Sequence, residues 1–244
     1  MRIPALDYEH GEGLGAYVVR TTPTEIAQNT FEITLDKPEG MRYKPGAAMK
    51  WYERLPDGTY ARHRTLSMAS SPHEDHIDFA YRGSSSDFKQ RYLRSLMVGD
   101  TVYLRNPQDE MRYVPGDSPL LMVAGGIGIT PMISLLRYAA FISAKRPITL
   151  LYANPSPESE AYRTELDAYA LAHSLTIERF YASEGRTIHE GDFASHVHTK
   201  PEVYIAGPES MTRALRSAVL ASGIRESSVQ ITDFTGYADT GGFA

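Results

Sequence analysis

Two hydrophobic rhythms divide this chain. Between Leu14 and about Leu104, apolar and polar positions alternate in short runs over residues 14–20, 29–35, 48–52, 75–82 and 100–104. A period of two puts every second side chain on one face, so each run predicts a half-buried strand. Turn residues separate the runs at Lys37-Pro38-Glu39-Gly40, Lys44-Pro45-Gly46, Leu55-Pro56-Asp57-Gly58 and Ser70-Ser71-Pro72. Strands of this length and spacing predict an antiparallel barrel or sandwich. One helix interrupts them over 86–96, with Phe88, Tyr92, Leu93 and Leu96 along one face.

After the linker-like Val114-Pro115-Gly116-Asp117-Ser118-Pro119 the pattern changes to strand and helix in alternation. Apolar runs over 120–124, 148–153, 175–181, 203–206 and 229–234 are separated by helical stretches over 131–144, 158–173 and 209–222. Strands linked through helices run parallel, because the chain must cross back before it re-enters the sheet. The expected fold class is two-domain: an antiparallel β-barrel over residues 1–115, then an α/β parallel-sheet domain over 116–244.

The first strand of that second domain ends in Gly125-Gly126-Ile127-Gly128-Ile129-Thr130-Pro131. A helix whose first turn holds a proline and follows closely spaced glycines offers free backbone N–H groups to an anion, and dinucleotide phosphates are the obvious candidate. The spacing is not the Gly-x-Gly-x-x-Gly of ordinary dehydrogenases. Tight packing of helix on strand also selects glycine, so a packing role stands beside the binding one.

Composition narrows the chemistry. No cysteine occurs among the 244 residues, which removes disulfides, thiolate-ligated iron–sulfur and zinc sites, and cysteine nucleophiles. Redox chemistry would therefore be carried by a bound cofactor. The net charge is −5; residues 1–115 hold 15 Lys+Arg against 16 Asp+Glu, the remainder 10 against 14. Nothing here has the basic patch that nucleic acid calls for. No apolar run approaches the length of a membrane span and the N-terminus has no signal-peptide core, so a soluble, cytoplasmic protein is expected. His73 and His76, and His189, His196 and His198, lack a third ligand at metal-site spacing and read as surface histidines.

Four segments, in this order, resemble the ferredoxin-NADP reductase superfamily of flavoproteins over about residues 14–237. Arg64-Thr65-Leu66-Ser67-Met68-Ala69-Ser70-Ser71-Pro72 is similar to its flavin motif, Arg-x-Tyr-Ser and small residues, and Gly83-Ser84-Ser85-Ser86 to its flavin phosphate turn. The 125–131 segment resembles its nicotinamide loop, and Val203-Tyr204-Ile205-Ala206-Gly207-Pro208-Glu209-Ser210-Met211 its Cys-Gly-Pro segment. Two residues depart from the pattern: Leu66 stands for the ring-stacking tyrosine, and Ala206 for the cysteine, for which slower hydride transfer is expected.

The resemblance implies FAD, with FMN as the alternative, and NADH or NADPH as substrate. Ser67 is then the hydrogen-bonding group near the reactive flavin nitrogen, with Arg64 and the N–H groups of Ser84, Ser85 and Ser86 on the phosphates. Thr65 and Leu66 complete the flavin contact, with Gly83 opening the phosphate turn. Gly126, Gly128, Thr130 and Pro131 form one side of the nicotinamide pocket, and Gly207, Pro208 and Met211 the other. Phe234 or Tyr237 would cover a ring face, plain core burial being the other reading for Phe234, and Asp233 is a candidate proton relay. Thr130, Ser67 and Phe234 are thus the expected catalytic residues. No arginine follows the 148–153 strand and Glu158 lies there, so the donor leans to NADH, with Arg186 the nearest cation for a 2′-phosphate.

The implied reaction passes hydride from nicotinamide to flavin, then single electrons to ferredoxin or flavodoxin. Arg42, Lys44, Lys50, Arg54, Arg62, Lys89, Arg91 and Arg94 would form the basic face such a partner needs. Two other readings stand: a reductase of free flavin, quinone or ferric chelate, and a non-catalytic relay subunit, which Ala206 makes conceivable.

Overall fold

A computed structural model describes residues 13–83 and 86–234. The expectations for Ser84, Ser85 and Tyr237 fall outside the described residues. Six strands, β1 (Leu14–Ala27), β2 (Thr30–Asp36), β3 (Ala48–Arg54), β4 (Tyr60–Ser67), β5 (His76–Arg82) and β6 (Thr101–Arg105), form an antiparallel, barrel-like sheet in the order β4-β3-β6-β1-β2-β5. Its interior is filled by Tyr17, Ile33, Leu35, Met49, Trp51, Phe79 and their neighbours. These are the inward positions of the predicted period of two.

Five parallel strands follow: β7 (Leu120–Gly125), β8 (Ile148–Asn154), β9 (Leu175–Tyr181), β10 (Glu202–Pro208) and β11 (Val229–Phe234), ordered β11-β10-β7-β8-β9. The helices between them are α1 (Ile129–Phe141), α2 (Arg163–Ala172), α3 (Gly191–Ala194) and α4 (Glu209–Ala221). Alternate residues of β7 face opposite sides. Leu120, Met122 and Ala124 pack with α1 and α2, while Leu121 and Val123 pack with Phe193, Leu215 and Val219. All six β7 residues are therefore buried, as a central parallel strand requires. The strand order reverses between β7 and β10, which opens a crevice at their carboxyl ends.

Besides the extension of β1 to Ala27, the shifted ends of α1 and the short, unexpected α3, three further elements differ from the sequence reading. β4 is a full strand where no run was assigned, because Arg62, His63, Arg64 and Thr65 break the apolar alternation of this edge strand. The 86–96 helix is a π-helical turn, Phe88–Tyr92, followed by a 3₁₀ turn, Leu93–Ser95. The 158–173 helix starts only at Arg163, because Tyr162 adopts a left-handed conformation, φ 60°. Its hydroxyl donates to Glu32 on the barrel at 2.5 Å.

Helix α1 fastens the two halves. Ser134 Oγ donates to the Ser70 carbonyl at 2.6 Å and accepts from the Gly46 N–H at 3.1 Å. Arg137 reaches Asp78 of β5 at 3.0 Å and Glu165 of α2 at 2.8 and 3.0 Å. Met111, Ala69 and Ala80 from the barrel side join the apolar cluster around α1.

Candidate functional site

The 125–131 glycines do two different jobs. Gly126 has φ +53°, which a side chain disfavours, and an added Cβ would sit 3.3 Å from Arg82 Nη2. Gly128 instead lies against the β10 backbone, where a Cβ would collide with the Ala206 carbonyl. Packing thus accounts for Gly128, whereas backbone conformation is what favours glycine at 126. Thr130 Oγ1 donates to the Ile127 carbonyl at 2.8 Å, which fixes the turn into α1, and Pro131 is buried in the first helical turn.

At the crevice between β7 and β10 lies a cleft of about 650 Å³. Gly126, Pro208, Met211 and Phe234 line it, together with Arg82 and Arg186. Next to it is a cavity of about 160 Å³, lined by Arg64, Thr65, Leu66 and Ser67 from the end of β4 and by Thr130 and Phe234 from the parallel-sheet half. The Ser67 hydroxyl is buried and has no hydrogen-bond partner. A buried orphan hydroxyl costs free energy unless something in the cavity completes it. Arg64 Nη1 donates to the His63 carbonyl at 2.9 Å, with its guanidinium 5.9 Å from the Phe88 ring centroid.

The remaining sequence candidates lie behind these walls. Gly83, Ser86, Gly128, Pro131 and Gly207 line neither cavity. A Cβ on Gly83 would lie 2.7 Å from both Asn29 Oδ1 and the Phe31 ring, so close packing on β2 explains this glycine. The Ser86 carbonyl accepts from the Lys89 and Gln90 N–H groups at 3.1 and 2.9 Å, starting the π-helical turn. Ala206 is buried in the α1 cluster and also lines neither cavity.

Several lining residues escaped the sequence reading. Ile127 and Lys89 line both cavities, as the expected Phe234 does, and Glu110 lines the smaller one. Lys89 carried a legible signal: at 3.6 residues per turn it falls inside the apolar arc of Phe88, Tyr92, Leu93 and Leu96. Desolvation, with Arg64 adding to it, pulls its ammonium down to about 8. Desolvation raises the Glu110 carboxyl, opposed by Lys50. The Asp233 carboxylate accepts from Thr212 Oγ1. Among the described residues no group of three His, Asp or Glu side chains is placed to hold a metal ion. His73 stacks on Phe141 with ring centroids 4.1 Å apart.

Comparison with known proteins agrees with this geometry. Residues 122–217 match the oxidoreductase NAD-binding domain family. The chain is 28% identical over 198 residues to a phthalate 4,5-dioxygenase oxygenase reductase subunit of Pseudomonas putida, covering 77% of this chain and 58% of that one. It is 33% identical over 142 residues to NADH-cytochrome b5 reductase 1 of Laccaria bicolor, covering 52% and 46%. The chain thus spans about half the length of these curated relatives. The flavohem-like FAD/NAD binding domain of a Vibrio cholerae nitric oxide dioxygenase superposes with a TM-score of 0.74 at 19% identity, covering 90% of this chain and 98% of that one. Residues 122–217 thus carry the match to the oxidoreductase NAD-binding domain family, and the chain as a whole has the two-domain fold of this solved structure, an antiparallel barrel-like sheet followed by a parallel sheet with helices.

Proposed function

We propose that this chain is a cytoplasmic flavoprotein reductase that takes hydride from NADH or NADPH onto bound FAD and passes single electrons to a separate acceptor. The observation that carries the reading is the buried, unpartnered Ser67 hydroxyl, facing a cavity that shares a wall with the cleft at the strand-order reversal. We draw the domain boundary between residues 115 and 116.

The residues fit a dinucleotide-type flavin. Cationic Arg64 and Lys89 line the small cavity, Leu66 and Phe234 offer apolar surface, and Ser67 has a free hydroxyl. Arg64 and the 83–86 turn hold the phosphates in this reading, and FMN is the alternative ligand. The flavin supplies the conversion between two-electron and one-electron transfer, which no side chain offers. Ser67 orients the ring edge, Thr130, Gly126, Pro208 and Met211 shape the nicotinamide side, and Phe234 excludes water between them. NADH is the favoured donor, since Glu158 follows β8 and the Arg186 guanidinium is engaged 5.2 Å from the Phe180 ring centroid.

With no cysteine in the sequence, no thiolate-ligated cluster lies within these residues, and the acceptor in this reading is a ferredoxin, a flavodoxin or another redox protein. A small-molecule acceptor is the second reading, favoured by the local engagement of the basic side chains. Lys44 pairs with Asp109 at 2.6 Å, Arg91 with Asp87, and Arg94 sits 4.0 Å from the Phe31 ring centroid.

Anaerobic titration of the FAD-incubated protein with NADH, and separately NADPH, tests the proposal. Bleaching of a protein-bound flavin band, faster with NADH, is expected. A protein that takes up no flavin overturns the reading.

A further inference from the structure

Three residues, Lys89, Ile127 and Phe234, form the wall shared by the cleft and the smaller cavity. Two are apolar and suit flat rings on either side. Lys89 is the one charged group in that wall, and among the described residues no ion pair or side-chain hydrogen bond engages its ammonium. Its helical turn explains the placement. Phe88 and Leu93 anchor the segment in the barrel core, and Lys89, on the same π-helical turn, lines both cavities.

The surroundings make this cation poorly compensated. Arg64 on β4 lines the small cavity, while Arg82 on β5 and Arg186 after β9 line the cleft. The acids facing the small cavity are Glu110, before β7, and Asp233 on β11. Asp233 is occupied by Thr212, and neither carboxylate contacts Lys89. A desolvated ammonium without a counter-charge raises the energy of the ligand-free site and is matched to negative charge that arrives later.

We propose that Lys89 is a charge-setting residue for the flavin, binding the ring more strongly once it has accepted hydride than before. This rests on the function proposed above. In the transfer the nicotinamide C4–H bond breaks and its electron pair forms an N–H bond on the ring. The nicotinamide becomes cationic and the ring gains one negative charge, so no further reactant is needed. From the wall shared by the two cavities, Lys89 would offset the charge on the ring that receives it.

The test is a redox titration of FAD-loaded wild type, Lys89→Met and Lys89→Arg, at a pH well below and a pH well above the Lys89 value of about 8. At the lower pH, Lys89→Met is expected to disfavour two-electron reduction about tenfold, or about 30 mV. Lys89→Arg, which keeps the charge, holds the wild-type potential. At the higher pH the gap between wild type and Lys89→Met closes. Lys89→Gln replaces Lys89→Met should the latter fail to fold. Equal potentials at the lower pH overturn the proposal, and weaker ADP binding alongside them makes Lys89 a phosphate ligand instead. A wild-type protein that takes up no FAD overturns the functional reading itself, and the proposal with it.

Discussion

The two sides of the site are built by different means. On the parallel-sheet side, backbone shape makes the site: Gly126 in a left-handed turn, Gly128 against a neighbouring carbonyl, and helix α1 starting directly behind them. On the barrel side, side chains make it, with Arg64, Leu66 and Ser67 carried on edge strand β4 and Lys89 reaching in from a separate turn. Backbone constraints of the first kind tolerate few residue types and remain visible in sequence. Constraints of the second kind depend on which strands become neighbours.

The joint between the sides provides the largest expected effect. Arg137 is mostly buried and faces Asp78, Glu74 and Glu165 from two domains. Replacing it by methionine leaves Glu165 without its cation and Asp78 and Glu74 with His76 alone, at a cost of about 3 to 5 kcal/mol. For a chain of this size that is a fall in Tm on the order of 10 °C, readable by circular dichroism. A Tm near wild type would mean that the apolar contacts of α1 alone hold the halves together.

The glycine pair sharpens the comparison further. In Gly128→Ala the new Cβ meets backbone that cannot move aside cheaply, so a stability loss of about 2 to 3 kcal/mol is expected. Gly126→Ala faces only the end of the Arg82 side chain and pays mainly for its φ of +53°, about 1 kcal/mol. Nucleotide affinity should rank the other way, with Gly126→Ala the weaker binder because Gly126 lines the cleft. Thermal melts with NADH titrations of both variants separate the two roles.

This division explains what could be read from the sequence. The two sheets, the order of β7 to β11 along the chain and the glycine turn follow from periodicity and steric need. Gly83 and Ser86 were visible for the same reason, yet they support the turn instead of lining a cavity. β4 was hidden by its polar residues although it carries the barrel side of the site. Glu110 and Arg82 reach the cavities only through tertiary folding, and no local pattern marks them. Lys89 was the exception, a charged residue inside an apolar arc.

Ser67→Ala probes the side-chain-built half. The hydroxyl has no protein partner, so its removal leaves no donor or acceptor stranded and Tm should hold. Reduction of bound flavin by NADH should slow about tenfold, the value of one hydrogen bond lost at the reacting edge. Stopped-flow absorbance measures it. A variant that melts early while keeping its rate would assign Ser67 to the fold and not to the site.

The smallest effect lies at the outer end of the joint. His76 hydrogen-bonds Asp78 at 3.1 Å, which raises its pKa from 6.5 to about 9 against partial burial, with Asp75 adding to the rise. A group whose folded value is raised contributes stability that is complete below its unfolded value and disappears as the pH climbs through the folded one. The window is therefore about 6.5 to 9, with stability falling toward the alkaline end. Asp78 works in the opposite sense: burial is outweighed by His76 and its other partners, its pKa is lowered, and its contribution is lost in acid. Because the His76 side chain is 26% exposed, solvent screens part of the effect, and about 1 kcal/mol across the window is expected. His76→Gln should flatten that limb of the Tm–pH curve while leaving the acid limb in place. Parallel curves for the two proteins would place the alkaline sensitivity elsewhere and leave Arg137 as the main polar tie between the halves.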